Sequence, residues 1–187
     1  LIAGVARLVC VQHCTFFINS LCHTIGKRPY DSSTSARDSW LMAIFTFGEG
    51  YHNYHHSFQH DYRNGVKPWQ WDPTKWAIWT LSKLGLATEL RRVPEEKIVL
   101  AELREMKDRA AAQIASGRTW KFTCPTREEA YATLLELSQQ LSEGYTELEN
   151  AVGDRIKISR EALSRWRQMI ADVGEQIMLL RSLQAQP

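Results

Sequence analysis

The apolar positions of residues 1–25 predict a single helix at the start of the chain. Apolar side chains occur nearly all round the helical wheel, which is typical of a buried or membrane helix. Polar residues interrupt the run at Arg7, His13, Asn19 and His23, so the uninterrupted window is shorter than the ~20 residues that a full membrane span needs. The pattern alone therefore leaves a core helix and a transmembrane helix as equal alternatives.

Shorter and more polar segments follow this helix. Residues 26–35 are rich in turn formers, and residues 38–47 predict a short aromatic helix. Residues 66–90 combine tryptophan with lysine, a pairing that favours the headgroup region of a bilayer. An ordinary amphipathic helix that uses tryptophan in its core is the alternative. The tryptophans concerned are Trp69, Trp71, Trp76 and Trp79.

The second half of the chain has a different pattern, rich in Glu, Arg and Gln. Pro94 and two glutamates mark a helix start, and this helix is predicted to extend to about residue 117. A capping box at Thr126 starts another helix, and residues 153–159 interrupt the pattern. Apolar residues then repeat at heptad a/d spacing on both sides of the interruption, which predicts a helical hairpin or short coiled coil. We interpret it as a packing appendage, with a docking surface as the alternative.

Three of the six histidines fall within five residues, at His52, His55 and His56. On a helix, positions i, i+3 and i+4 project from one face, and neutral imidazole is a common ligand for iron, zinc and copper. This spacing predicts a metal site, with a solvated or structural cluster as the alternative. Asn19 and His23 share a second helix face. Bringing both faces together would gather four imidazoles and an amide.

The motifs around these residues resemble the membrane-bound acyl-CoA desaturases of the stearoyl-CoA type. Gly-Glu-Gly-Tyr-His-Asn-Tyr-His-His resembles the third histidine box of that family. Matching stretches in the same order are Asn-Ser-x-x-His (19–23), Arg-Pro-Tyr-Asp (28–31), Ser-Ala-Arg-Asp (35–38), Asp-Tyr-Arg-Asn-Gly (61–65) and Trp-Gln-Trp-Asp-Pro-Thr-Lys (69–75). The resemblance covers about residues 10–95.

The resemblance implies an O2-dependent diiron enzyme that introduces a cis double bond into a saturated acyl chain, carried as acyl-CoA or acyl-lipid. Residues 1–92 would be the C-terminal part of the desaturase domain, with its last transmembrane helix and third histidine box. Residues 93–187 would be a helical appendage. The family's first two histidine boxes have no counterpart here, and the chain starts inside an apolar run, so we expect a fragment. A non-catalytic membrane-associated helical scaffold, with a remnant or single-metal histidine cluster, is the alternative.

The resemblance also implies roles for the site residues. His23, His52 and His55 would bind one of two iron ions. His56 would bind the other, with Asn19 reaching it through water. Metal-bound imidazole usually donates its second ring N–H to a carboxylate or carbonyl, and Glu49 is our first candidate for that acceptor.

The expected architecture is all-α: a truncated transmembrane helix, a cytosolic helical metal-binding cap and a hairpin or coiled-coil tail. The histidine box and the tail would lie on the cytoplasmic side of the membrane. Expected partners are a fatty acyl substrate and membrane lipid. A separate electron donor such as a ferredoxin, a rubredoxin or cytochrome b5 is also expected, because the tail has no cytochrome b5 signature. The formal net charge of +2 is too small to imply nucleic acid.

Overall fold

The computed structural model describes residues 2–117 and 125–184, and each regular element in them is a helix. The predicted all-α fold class is therefore confirmed. Within these residues, β-type pairing is limited to isolated bridges from Asp38 to Lys27 and to Tyr51. The chain divides into two compact units between Val93 and Pro94, and each unit is described by itself.

The first unit begins with helix α1, Ile2–Ser20, which is followed by one 3-10 turn, Leu21–His23. The segment Ile2–His23 is long and apolar enough to cross a membrane. None of the residues of α1 is buried, so α1 is not a core helix of this unit. The helix ends before residue 25, where the sequence predicted its end. The chain turns at Gly26, whose φ of 128° favours glycine, and then pairs with Asp38.

Two short helices, α2 (Trp40–Phe45) and α3 (His52–Ser57), follow the turn-rich loop. Helix α2 lies within the aromatic helix predicted over residues 38–47, and α3 is the helix that carries the three histidines of the box. Gly50 makes their close approach possible, because a Cβ atom at this position would lie 2.1 Å from the backbone nitrogen of Ala43. The glycine before the histidine box is therefore required by packing.

Helix α4, Pro73–Lys83, is started by Asp72, which caps it by accepting the backbone N–H of Lys75 at 2.9 Å. The other carboxylate oxygen of Asp72 accepts the N–H groups of Asn64 and Gly65 at 2.8 and 2.9 Å. Asp72 thus ties the loop after the histidine box to the start of α4.

The tryptophans around α4 stay largely exposed. Their exposed fractions are 75% for Trp69, 44% for Trp71, 40% for Trp76 and 52% for Trp79. The alternative in which they form the core of an ordinary amphipathic helix is therefore not observed in this unit.

The second unit consists of α5 (Glu95–Gly117), α6 (Pro125–Gly153) and α7 (Arg160–Gln184), and each of these helices packs against the other two. The heptad positions form its core, with the buried residues Leu134, Leu141, Leu148, Leu163, Trp166, Val173, Ile177 and Leu180. The predicted hairpin is present as α6 and α7, and α5 completes a three-helix unit. Thr126 lies inside the first turn of α6 and is not its N-cap, because the helix already begins at Pro125.

Candidate metal centre

Three imidazoles from two segments of the first unit converge. The Nε2 atom of His52 lies 3.1 Å from Nε2 of His23 and 3.1 Å from Nε2 of His56. One ligand atom from each of these residues lies within 4.8 Å of the others. His52 is buried, His23 is half-buried and His56 is exposed, so the cluster is open to its surroundings on the His56 side.

The other two predicted ligands are outside this group. The His55 ring is stacked on the His52 ring, with centroids 6.0 Å apart. The Asn19 carboxamide donates to the carbonyl of Thr15 at 3.4 Å, one turn earlier in α1. The structure therefore groups His56 with His23 and His52, whereas the resemblance implied that His56 serves a different iron.

Glu49 was expected to accept the second ring N–H of a histidine in the cluster, and the structure shows other partners for both. The Glu49 carboxylate accepts Nδ2–H of Asn64 at 2.8 Å, which joins the start of the histidine box to the loop after it. His23 Nδ1 instead meets the hydroxyl of Ser35 at 2.9 Å. The Nδ1 atom of His52 is buried without a hydrogen-bond partner. Sequence reasoning missed Ser35, because a serine in a loop gives no spacing signal that links it to a histidine.

Asn53, between the histidines of the box, anchors α3 to the preceding loop. Its Oδ1 accepts the N–H groups of Tyr30 and Asp31 at 3.0 and 3.3 Å, and its Nδ2 donates to the carbonyls of Asp31 and Ala36 at 2.7 and 3.1 Å. Position i+1 faces away from the i, i+3, i+4 face on a helix. An amide at this position, off the face of the histidines, was therefore the available sequence signal for a role in support of them.

Asp38 holds the start of α3 from the same loop. Its Oδ1 accepts the backbone N–H groups of Asn53 at 2.7 Å and of Tyr54 at 3.0 Å. Burial raises the pKa of Asp38 to about 7, against the opposing effect of these two hydrogen bonds. The carboxylate accepts N–H groups at the helix start that have no partner within the helix. It therefore fixes the position of the first turn of α3, which carries His52.

The last turn of α3 is held by a buried ion pair. The Tyr54 hydroxyl donates to Asp61 at 2.8 Å, and Arg63 donates to both carboxylate oxygens of Asp61 at 2.9 and 2.6 Å. The backbone N–H of Val93 donates to the same carboxylate at 2.8 Å. Together these bonds join the histidine helix to the end of the first unit.

Comparisons with known proteins identify the relatives of this chain. Over 118 residues it is 45% identical to a probable acyl-CoA desaturase of Schizosaccharomyces pombe, which covers 62% of this chain and 25% of that protein. Over 103 residues it is 48% identical to acyl-CoA desaturase 1 of Saccharomyces cerevisiae. That alignment covers 55% of this chain and 20% of the yeast protein. The resemblance to the desaturases is confirmed.

A third relative is named as an acyl-lipid desaturase rather than an acyl-CoA desaturase. The chain is 42% identical over 85 residues to the sn-1 stearoyl-lipid 9-desaturase of Anabaena variabilis, which covers 46% of this chain and 31% of that protein. No family model matches the chain. The chain spans between a fifth and a third of the length of these three desaturases.

The surroundings of His52 and His56 favour the neutral form of these two imidazoles. Burial, followed by the adjacent imidazoles of His56, His23 and His55, lowers the pKa of His52 to about 4. The pKa of His56 is lowered as well, first by burial and then by His55 and His23. Neutral imidazole has a lone pair to offer, which is the form that binds a metal.

Two of the three nitrogen pairs in the cluster have the spacing of ligands on one transition-metal ion. Metal–nitrogen bonds of ~2.0–2.1 Å separate neighbouring ligand nitrogens by about 2.8 to 3.4 Å at right-angled to tetrahedral geometry. The two measured Nε2–Nε2 distances of 3.1 Å lie in that range. Inward lone pairs of neutral imidazoles repel one another, and a bound cation would turn this repulsion into attraction. Three imidazoles suit iron, zinc or copper.

Proposed function

We propose that the chain is the C-terminal part of an O2-dependent fatty acyl desaturase, which introduces a cis double bond into a saturated chain carried as acyl-CoA or acyl-lipid. The observation that carries the proposal is the convergence of His23, His52 and His56 at metal-binding distances. They come from two motifs that resemble desaturase motifs, in a chain with named acyl-CoA and acyl-lipid desaturases as relatives.

His23, His52 and His56 would hold one iron of a diiron centre, and His55 and Asn19 would serve the second ion. When bound, the centre would activate O2, with two electrons from the separate donor, to remove one hydrogen from each of two adjacent unactivated methylenes. The residues around the histidines hold the imidazoles in position. Asp38 and Asn53 fix α3, and Glu49 steadies the start of the box through Asn64.

The two compact units support a division of roles. Residues 1–92 would belong to the desaturase domain, and residues 93–187 would form a helical appendage without metal ligands. The reducing equivalents would come from a separate electron donor, such as a ferredoxin, a rubredoxin or cytochrome b5.

Helix α1 would span the membrane, with the histidine box and the appendage on the cytoplasmic side. The exposed tryptophans support contact of the first unit with lipid headgroups. Lys67 lies 5.6 Å from the ring centroid of Trp69, and Lys83 lies 5.6 Å from that of Trp79. Such amphipathic pairs favour the interface between water and hydrocarbon.

The test is product formation by the protein that contains this chain. Membranes that carry it are supplied with stearoyl-CoA, O2 and an electron donor, and unsaturated products are measured by gas chromatography. We expect His52→Ala to abolish the product. His60→Ala, a matched change at an exposed histidine outside the cluster, should retain it. A protein that binds zinc but forms no product under these conditions would favour the scaffold alternative.

A further inference from the structure

We infer that Ser35 is a positioning residue for the metal centre: its hydroxyl accepts Nδ1–H of His23 and so directs the Nε2 lone pair of His23 towards the ion. The inference rests on the proposed function, because it concerns the ion that His23, His52 and His56 would share. Ser35 itself would not touch the metal.

His23 needs an outer partner because of where it lies. It is the last residue of the 3-10 turn after α1, and its ring has contacts on both nitrogens. Nδ1 lies 2.9 Å from Ser35 Oγ, and Nε2 lies 3.1 Å from Nε2 of His52. A neutral imidazole carries one proton. When Nδ1 carries it and donates to Ser35, the nitrogen that faces the cluster keeps its lone pair.

The position of Ser35 is set by the bonds that also set the histidine box. Arg37 N–H donates to the carbonyl of Cys22, beside His23, at 2.7 Å. Asn53 donates to the carbonyl of Ala36 at 3.1 Å, and Asp38 accepts the N–H of Asn53 at 2.7 Å. These neighbours of Ser35 in the loop tie it to the His23 turn on one side and to α3 on the other. The two sources of imidazole therefore share one support.

The exposure of Ser35 separates this role from folding. The side chain is exposed, so its replacement by alanine opens no cavity and leaves no buried polar group. The ring of His23 alone loses a partner. Loss of such an outer hydrogen bond typically weakens metal binding by about 10- to 100-fold.

The first measurement needs no metal. The 187-residue chain is prepared in detergent micelles with 15N-labelled histidine, and the His23 tautomer is read by NMR at about pH 8. We expect Nδ1–H to dominate in the wild type and in Ser35→Thr, which keeps the hydroxyl. Ser35→Ala should shift His23 towards the Nε2–H form. Ser33→Ala is the matched control, because the bond from Ser33 to Asp31 uses its backbone N–H.

The second measurement is Co²⁺ titration of the same four proteins by absorption spectroscopy. We expect Ser35→Ala to bind Co²⁺ at least about 10-fold more weakly, with an altered cobalt spectrum, and Ser35→Thr and Ser33→Ala to match the wild type. Equal tautomer and equal affinity in Ser35→Ala and the wild type would overturn the role of Ser35 while leaving the metal centre intact. A wild-type chain that binds no Co²⁺ would overturn the centre itself.

Discussion

Asn53 makes more of the hydrogen bonds that support the site than any of the histidines beside it. Its buried carboxamide satisfies two backbone donors and two backbone acceptors of the preceding loop. Asn53→Ala would leave these groups without partners, and we expect a loss of about 2 to 4 kcal/mol in the stability of the first unit. Hydrogen–deuterium exchange should accelerate in residues 28–38 and 52–57. Gln59→Ala, at an exposed amide two residues after α3, is the control and should leave exchange unchanged.

Asp61 gives the first unit a defined dependence on acid pH. Burial alone would raise its pKa, but hydrogen bonds from Arg63, Val93 and Tyr54 outweigh burial and hold the pKa below its usual value. A carboxylate with a depressed folded-state pKa stabilises the fold above its unfolded pKa of about 3.9, and this stability is lost as the pH falls through the folded-state value. Acid should therefore loosen the contact of α3 with Asp61.

The comparison of wild type with Asp61→Asn tests this dependence. At neutral pH we expect the variant to exchange deuterium faster in residues 54–64, because a buried ion pair that loses one partner costs about 3 to 5 kcal/mol. The difference between the two proteins should begin to shrink below about pH 4, where the unfolded chain takes up the proton, and should disappear only below the depressed folded-state pKa of Asp61. A difference that stays constant between pH 3 and pH 7 would contradict the assignment.

At the scale of elements, the α6–α7 contact depends on a glycine. A Cβ atom at Gly144 would lie 3.0 Å from Nε1 of Trp166, whereas one at Gly174 would meet only Met106 Cε at 3.6 Å. Alanine is favoured over glycine in a helix by about 1 kcal/mol. We expect Gly174→Ala to raise the free energy of unfolding of the second unit by about 0.5 to 1 kcal/mol. The free energy of unfolding of Gly144→Ala should be about 1 kcal/mol lower than that of Gly174→Ala. Urea denaturation followed at Trp166 measures both, and equal gains would contradict the tight crossing.

The elements also mark what the sequence could predict. The heptad leucines of α6 and α7 and the helix start at Pro94 were readable, because periodicity and capping are local. The turn after α1 was not, because it is followed by the pairing of Lys27 with Asp38 across a loop. The histidine triad was readable only in part. Its spacing gave the shared faces of His52 with His56 and of Asn19 with His23. The bond from the Asn19 carboxamide back to Thr15 gave no signal in the spacing.

At the scale of the molecule, the two compact units predict that metal binding belongs to the first alone. The converging imidazoles, Ser35, Asp38 and Asn53 all lie before Val93, where the units divide. We expect residues 1–93 in micelles to bind Co²⁺ with the affinity of the 187-residue chain, within about threefold. A cut after residue 93 falls between the two units and keeps all three helices of the second unit together. Loss of Co²⁺ binding in the shorter chain would show that the appendage supports the site.

The number of ions that the 187-residue chain binds is the sharpest prediction at this scale. The Nε2 atoms of His23 and His56 each lie 3.1 Å from Nε2 of His52, while His55 is stacked beside His52 and Asn19 is bonded within α1. These residues suffice for one ion, and a single further imidazole is a weak site for a second. We therefore expect one Co²⁺ per chain in calorimetry, reduced at least about 10-fold in affinity by His52→Ala and unchanged by His60→Ala.

Activity follows from the same geometry. A diiron centre requires both ions, and the chain spans between a fifth and a third of the length of the named desaturases. We expect the 187-residue chain, loaded with ferrous iron and given an electron donor, to form no unsaturated product from stearoyl-CoA under O2. Two equivalents of tightly bound metal, or an unsaturated product that disappears in His52→Ala, would show that His55 and Asn19 rearrange to complete a second site within this chain.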